Sequence, residues 1–219
     1  MHYNNNKKYS TKQMIPIQFI TYTTPTLSHE ESAMRALAGG CQWIELHIEE
    51  TDNEFQDIEN IAKRLLKACH DKGATLVLYN QVDLCKKIQA DGVRMPANFT
   101  DMIEVREALG HEFIIGGTAH TFDSIKKLKR TGTDYICSGT FVAEAPTQED
   151  FDIAQCNHLM RQLYQEEVRI PVCVYGNIAY NNIMPIIENG AQGVCISQTS
   201  LPIEADLEQD IQKMLHADQ

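Results

Sequence analysis

The segment GGTAHT, at residues 116–121, contains the residue of this chain best suited to acid–base chemistry, His120. This histidine follows a predicted strand and opens a predicted helix. An unperturbed imidazole titrates near neutral pH, so a neutral His120 could take a proton from a substrate and return it. A histidine at this place could instead cap the helix or pack against it. His120 is therefore the candidate catalytic residue, with a structural role as the alternative.

Two further segments have residue types that bind phosphate. VYGNIA (174–179) joins a predicted strand to a helix, and GVCISQTS (193–200) follows the last predicted strand. Backbone N–H groups at a helix N-terminus favour an anion, a glycine lets the backbone approach it closely, and hydroxyls add donors. Ordinary turns use the same residue types, and that alternative stays open. The candidate phosphate-binding residues are Gly176, Asn177 and Ser197.

Polar residues at other predicted strand ends are candidates for substrate contact. Arg94 is the cation among them, and it could pair with a substrate carboxylate or phosphate. It could equally form a salt bridge with Glu49, and Glu45, if buried, would need a partner such as Arg94. The carboxylates are not spaced as a metal site would require, so no metal ligand is assigned. The further candidate substrate-binding residues are His47, Asn80, Thr118 and Thr140.

The elements that must position these residues follow a regular alternation. Eight short apolar, β-branched runs are separated by helix-like stretches, which is the pattern of parallel strands. Eight such units predict one α/β domain, a closed (β/α)8 or TIM barrel, whose chemistry lies after the strands. The predicted strands are Ile17–Tyr22, Trp43–Ile48, Thr75–Tyr79, Gly92–Met95, Glu112–Gly116, Asp134–Ser138, Pro171–Tyr175 and Gln192–Ser197.

Capping signals and amphipathic spacing predict the helices. Ser28 and Glu31 form a predicted capping box, and Gly39-Gly40 is a stop signal for the helix that the box begins. The clearest amphipathic pattern predicts a helix over Asn53–His70. The further predicted helices lie near Asp83–Gln89, Asp101–Leu109, Phe122–Arg130, Glu149–Gln165, Tyr180–Glu188 and Leu207–His216.

The regions outside these elements also yield predictions. Residues 1–13 are polar and are predicted to be a flexible N-terminal extension, with the barrel domain spanning 14–219. The longest irregular segment, Thr140–Asp150, is predicted to be a loop or lid beside the site.

Composition excludes several classes of function. The chain has 219 residues and a net charge of −11, which disfavours nucleic acid as a partner. No apolar stretch approaches the length of a membrane span and no signal peptide is visible, so we expect a cytoplasmic protein without a membrane partner. The seven cysteines are odd in number and widely spaced, and are expected to be reduced packing residues.

With these motifs in place, the chain resembles the thiamine-phosphate synthase/TenI superfamily over nearly all of residues 15–215. The segments that carry the resemblance include ALAGGCQWIEL (36–46), ADGVRMPANF (90–99), GGTAHT (116–121), TDYICSGTF (133–141) and IPVCVYGNI (170–178). The resemblance implies a TIM barrel of thiamine biosynthesis, a phosphorylated thiazole as ligand and a homodimer. In the synthase branch it also implies magnesium, and in the TenI branch, whose characterised members are thiazole tautomerases, no cofactor.

Several positions of the synthase pattern are changed. The strand-two signature Gln-x-Arg-x-Lys is replaced by Glu45, His47 and Glu49, and the magnesium carboxylate positions fall on Tyr79-Asn80-Gln81 and near Phe99. The Thr-x-Thr-Lys stretch falls on Glu144–Thr147. The TenI branch places its acid/base histidine at His120. The leading hypothesis is therefore a metal-independent TenI-like thiazole tautomerase. A divergent, magnesium-dependent thiamine-phosphate synthase and a non-catalytic thiazole- or thiamine-phosphate-binding protein are the alternatives.

Overall fold

The computed structural model describes residues 16–142, 151–201 and 206–217. Within them, strands and helices alternate along the chain, and each strand pairs in parallel with the next. Strand β1 also pairs with β8, so the sheet closes into the predicted barrel. The strands are β1 Ile17–Ile20, β2 Trp43–Leu46, β3 Thr75–Tyr79, β4 Gly92–Met95, β5 Ile114–Thr118, β6 Tyr135–Phe141, β7 Val172–Gly176 and β8 Gly193–Ile196.

The helices begin where the sequence places capping residues. The Ser28–Glu31 capping box is formed as predicted, and Gly39 caps the C-terminus of the first helix. The helix predicted from Asn53 begins with a 3-10 turn at Phe55–Asp57. The α-helices are α1 His29–Ala38, α2 Ile58–Asp71, α3 Val82–Ile88, α4 Met102–Leu109, α5 Phe122–Arg130, α6 Ile153–Gln165, α7 Tyr180–Glu188 and α8 Leu207–Leu215.

The strands separate two buried clusters because their side chains alternate between the two faces of the sheet. The larger cluster is apolar and joins the strands to the surrounding helices, with Phe19, Ile44, Leu76 and Val194 as strand members. The smaller cluster lies inside the barrel and is formed by Ile20, Tyr135, Cys137, Cys173 and Cys195. The barrel interior also holds buried polar side chains, and these lead to the candidate site.

Six of the eight strands differ from their predicted bounds by one to three residues at an end. Strand β5 lies two residues later than predicted, at Ile114–Thr118. Strand β6 continues past Ser138 to Phe141, because Phe141 pairs with Gly176 across a register shift. The first residues of the predicted loop 140–150 are therefore strand, while 143–150 lie outside the described residues. The predicted extension 1–13 lies outside them as well.

Two further expectations concern the cysteines and the membrane. All seven cysteines are buried free thiols, which confirms their packing role. In the part of the chain that the structure describes, no helix has the length and apolar character needed to cross a bilayer.

Candidate functional site

A cavity of about 440 Å³ opens at the carboxyl ends of the strands, beside β6, β7 and β8. It brings together all three predicted phosphate-binding residues and Thr140. Its apolar side is formed by Ile20, Tyr22 and Cys195. The residues that complete its lining are Thr140, Tyr175, Gly176, Asn177, Ile196, Ser197, Thr199 and Ser200. We call this cavity the β7–β8 pocket.

Gly176 has a geometry that other residues rarely adopt. Its φ angle is +140°, and a Cβ atom at this position would collide with the backbone of Phe141. The following amide, from Asn177, donates to the Phe141 carbonyl over 3.0 Å. The glycine therefore lets the end of β7 pack directly on the end of β6 at the pocket wall.

The turn after β8 supplies hydroxyl groups. Ser197 Oγ lies 2.7 Å from Thr199 Oγ1, and Ser200 Oγ donates to the Gly176 carbonyl over 3.1 Å. Gln198 is buried, and its amide nitrogen has no hydrogen-bond partner among the described residues. Helix α7 begins a few residues after Asn177, so the pocket combines neutral side-chain donors with a nearby helix N-terminus.

His120 does not line this pocket, but it lies next to Tyr175, which does. Its imidazole is exposed, and its ring centroid is 6.2 Å from that of Tyr175, which lines the pocket. The N-cap of α5 is Thr121, whose hydroxyl accepts from the Ser124 amide. The alternative that His120 caps this helix is therefore wrong, since Thr121 is the N-cap.

Arg94 lies inside the barrel and pairs with Glu45. Its Nε and Nη2 atoms donate to the two oxygens of the Glu45 carboxylate, each over 2.6 Å, and its Nη1 donates to Thr118 Oγ1 over 2.6 Å. Glu45 is fully buried and Arg94 is 4% exposed. The suggested salt bridge between Arg94 and Glu49 is wrong, because Glu45 takes the guanidinium. Buried Glu45 has the partner that it was expected to need.

Further contacts complete the coordination of Glu45. Gln18 Nε2 donates to Oε2 over 3.0 Å, and His47 Nδ1 lies 3.1 Å from Oε1. Burial alone would raise the pKa of the Glu45 carboxyl, but Arg94 and His47 outweigh it and lower the pKa to about 2. Glu45 is therefore an ionised carboxylate whose acceptor sites are filled by the protein.

His47 lies between Glu45 and the barrel mouth. Its Nε2 is 3.3 Å from Glu49 Oε1, and its ring stacks on Tyr79 with a centroid distance of 3.7 Å. Tyr22 packs on it as well, at 4.7 Å. Burial, followed by the Glu45 charge, raises the pKa of the Tyr22 hydroxyl. His47 and the two tyrosines thus cover the Arg94–Glu45 pair.

Behind His47, a second buried histidine supports β2. His29 Nδ1 lies 2.9 Å from Thr21 Oγ1, and the same hydroxyl oxygen accepts from the His47 amide over 3.0 Å. Burial lowers the pKa of His29, with the Asp52 charge opposing it. This chain of contacts fixes the start of the loop that carries Glu49.

Asn80 is separate from both groups. It is exposed, its φ angle is +54°, and it lines a different cavity of about 400 Å³ between α3 and α4. The structure thus places Gly176, Asn177, Ser197 and Thr140 in one pocket and groups Arg94, His47 and Thr118 beside it.

Gln18, Tyr135 and Ser200 contribute contacts that the sequence analysis did not assign. Gln18 Nε2 also donates to the Tyr135 hydroxyl over 3.0 Å, which links β1 to β6 across the barrel. A polar residue inside the apolar run IQFI is the signal that could have identified Gln18. The sequence gives no such signal for Tyr135. Its ring packs against Gly116, where a Cβ atom would collide with it, and this contact is visible only in the folded barrel.

The positions where the resemblance implies magnesium carboxylates hold other residue types. Across 16–142, 151–201 and 206–217, no group of three histidine, cysteine or acidic side chains has the geometry of a metal site. Asn80, Gln81 and Phe99 occupy positions where the resemblance implies metal carboxylates. Glu45 cannot substitute for them, because its oxygens are held by Arg94, Gln18 and His47.

The fold and the site define a (β/α)8 barrel with a polar pocket after β7 and β8. The family model for thiamine monophosphate synthase matches residues 17–199. Among curated proteins, the chain is 38% identical over 191 residues to thiamine-phosphate synthase of Phocaeicola vulgatus, covering 85% of this chain and 90% of the relative. It is 36% identical over 187 residues to the thiamine-phosphate synthase of Bacteroides fragilis, covering 84% and 91%. This chain belongs to the thiamine monophosphate synthase family.

Solved structures show the same fold at lower identity. A thiamine phosphate pyrophosphorylase from Pyrococcus furiosus superposes with a TM-score of 0.76 at 20% identity, covering 93% of this chain and 95% of that one. A 3-hexulose-6-phosphate synthase superposes with a TM-score of 0.66 at 15% identity, covering 92% and 99%. At these identities the likeness supports the barrel, and function is argued from the site.

Proposed function

We propose that this protein binds a phosphorylated thiazole in the β7–β8 pocket and catalyses a step of thiamine biosynthesis. The observation that carries the proposal is the convergence of Gly176, Asn177 and Ser197 on one pocket at the carboxyl ends of β7 and β8. Barrels of this class use the loops after these strands to hold phosphate. The relatives named thiamine-phosphate synthase supply the ligand class.

Two reactions are candidates. The names of the relatives favour the synthase reaction, in which thiazole phosphate is joined to a pyrimidine diphosphate. The site geometry favours a metal-independent isomerisation of a thiazole carboxylate phosphate. The specific observation for the isomerisation is that Glu45 fills the coordination of Arg94, and that Asn80, Gln81 and Phe99 stand where the resemblance implies magnesium carboxylates.

In the isomerisation, the residues would divide the work as follows. Gly176, Asn177 and Ser197 hold the phosphate, which fixes the thiazole ring beside Tyr175. His120, exposed next to Tyr175, removes a proton from one ring position and returns one to another. The reaction moves protons only, so it requires neither an oxidant nor a second substrate.

An NMR screen tests these proposals together. The protein is incubated with thiazole carboxylate phosphate, and separately with thiazole phosphate plus hydroxymethylpyrimidine diphosphate, each with and without magnesium. Isomerisation without magnesium supports the tautomerase, and thiamine phosphate that forms only with magnesium supports the synthase. Saturable binding without turnover would leave a binding protein. Absence of both binding and turnover would refute the proposed ligand.

A further inference from the structure

We propose that Glu45 determines ligand specificity, because its carboxylate pairs with Arg94 inside the barrel and leaves this guanidinium unavailable to a ligand. The protein therefore accepts a phosphate monoester and rejects a diphosphate. This inference rests on the proposed binding of a phosphorylated ligand in the β7–β8 pocket. In this inference the Glu45 carboxylate occupies the position at the Arg94 guanidinium that a second anionic group of a ligand would otherwise take.

The first support is the geometry of the pair. A guanidinium binds a carboxylate or a phosphate through two parallel N–H bonds, and Glu45 uses that arrangement on Arg94 at 2.6 Å for both bonds. A third donor goes to Thr118. A ligand anion could reach the paired face of Arg94 only by displacing a buried carboxylate.

The second support is the distribution of cations. Arg94 is the only lysine or arginine in the eight strands. The described parts of the segments that lead from each strand to the next helix contain neither residue type. Thus this end of the barrel, as far as the structure describes it, has one buried cation, and Glu45 neutralises it.

The third support is the charge around the pair. His47 is adjacent to two carboxylates, Glu45 and Glu49, so any positive charge on its imidazole is also matched within the protein. The chain as a whole carries a net charge of −11. A phosphate monoester can be held by the neutral donors of the β7–β8 pocket, whereas the strand ends and loops that the structure describes offer no unpaired cation for the additional charge of a diphosphate.

Glu45→Gln tests the inference, because the amide keeps the shape of the side chain and removes its charge. Calorimetry without divalent cations measures the binding of inorganic phosphate and inorganic pyrophosphate. The wild type should prefer phosphate, and the variant should bind pyrophosphate at least tenfold more tightly than the wild type does. Glu49→Gln, which removes an exposed carboxylate of the same charge next to His47, is the matched control and should give less than a threefold change.

Two further variants keep the test decisive if Glu45→Gln folds poorly. The double variant Glu45→Leu/Arg94→Met removes both buried charges at similar volume, and replacements of this kind usually preserve folding. Its phosphate affinity should match that of the wild type, because Arg94 is already occupied. In Glu45→Gln/Arg94→Met, the gain in pyrophosphate affinity should disappear.

Three results would overturn the inference. One is wild-type protein that binds pyrophosphate more tightly than phosphate. Another is a folded Glu45→Gln variant without a gain in pyrophosphate affinity, and the third is a tenfold loss of phosphate affinity in Glu45→Leu/Arg94→Met. Failure of the wild type to bind phosphate, or thiazole phosphate in the NMR screen, would refute the proposed function instead.

Discussion

The hydroxyl of Ser200 donates to the carbonyl of Gly176 over 3.1 Å, and this bond joins the turn after β8 to the end of β7. The Ser200 hydroxyl proton is therefore used within the protein. Ser197 differs, because among the described residues its hydroxyl contacts other hydroxyl groups, which can reorient towards a bound anion. Ser200 therefore holds the pocket wall, and Ser197 is the serine that we propose contacts phosphate.

Ser197→Ala should weaken phosphate binding by about tenfold, the effect of losing one hydrogen bond to a charged group. The thermal midpoint should change little, because the lost contact is a hydroxyl pair at the pocket. Phosphate titration followed by calorimetry measures the first effect. Ser32→Ala, at a buried serine in α1, is the control. Equal affinities in wild type and Ser197→Ala would remove Ser197 from the phosphate site.

Gly176→Ala should destabilise the fold and reduce phosphate binding together. The new Cβ would collide with the Phe141 backbone, and φ at this residue is +140°. We expect a loss of roughly 2–4 kcal/mol from the combined strain and collision. Urea unfolding measures it. Gly73→Ala is the matched control, since Gly73 also has a positive φ but no atom within 4 Å of a new Cβ, and should cost about 1 kcal/mol.

Acid should weaken the fold through Glu45. Its folded pKa, about 2, lies below its ordinary value of 4.5, so its stabilising contribution is present above pH 4.5 and is lost as the pH falls towards 2. The full effect is on the order of 3 kcal/mol. Urea unfolding at pH 6 and pH 3 measures the larger part of this effect, because pH 3 lies between the two pKa values. The loss between these pH values should be smaller in Glu45→Leu/Arg94→Met than in the wild type.

A surface carboxylate provides the control for that experiment. Hydrogen bonds from Lys63 and Lys87 also lower the pKa of Glu59 to about 2, but Glu59 lies at the protein surface. Glu59→Gln should leave most of the acid sensitivity in place. Its own small effect should disappear in high salt, which screens exposed charges. The assignment to Glu45 would be contradicted if the loss of unfolding free energy in acid were smaller in Glu59→Gln but unchanged in Glu45→Leu/Arg94→Met.

His120→Ala should abolish isomerisation of thiazole carboxylate phosphate and leave its affinity within about threefold. The imidazole is exposed next to Tyr175, so its removal opens no core cavity. Turnover followed by NMR and affinity by calorimetry give the two readouts. His111→Ala, at another exposed histidine, should retain full activity. Unchanged turnover in His120→Ala would exclude the proposed mechanism.

The sequence predicted the barrel because each unit repeats the same local signals. Apolar β-branched runs alternate with capped amphipathic helices, and these preferences act over a few residues. The end of β6 was not predictable, since Gly139–Phe141 become strand only through pairing with Gly176 of β7. That pairing depends on a contact between segments distant in sequence.

The candidate site was predictable to a similar extent. Gly176, Asn177 and Ser197 lie together because the fold brings the ends of β7 and β8 to one place, which follows from the barrel alone. The partner of Arg94 did not follow, because Glu45 and Glu49 both lie on the strand-two segment and the sequence does not show which carboxylate the arginine reaches. A three-dimensional register decides it in favour of Glu45.

The two buried clusters of the barrel have different chemical character, and this has a consequence for mutational tolerance. The apolar layer between strands and helices provides most of the hydrophobic area that stabilises the fold. The barrel interior contains Gln18, Glu45, Arg94 and the thiols of β6–β8. Two residues of the interior cluster, Ile20 and Cys195, also line the β7–β8 pocket. Substitutions there can alter what the protein recognises while the surrounding layer keeps it folded. Libraries of variants aimed at new ligands should therefore vary the residues of the barrel interior and leave the apolar layer between strands and helices unchanged.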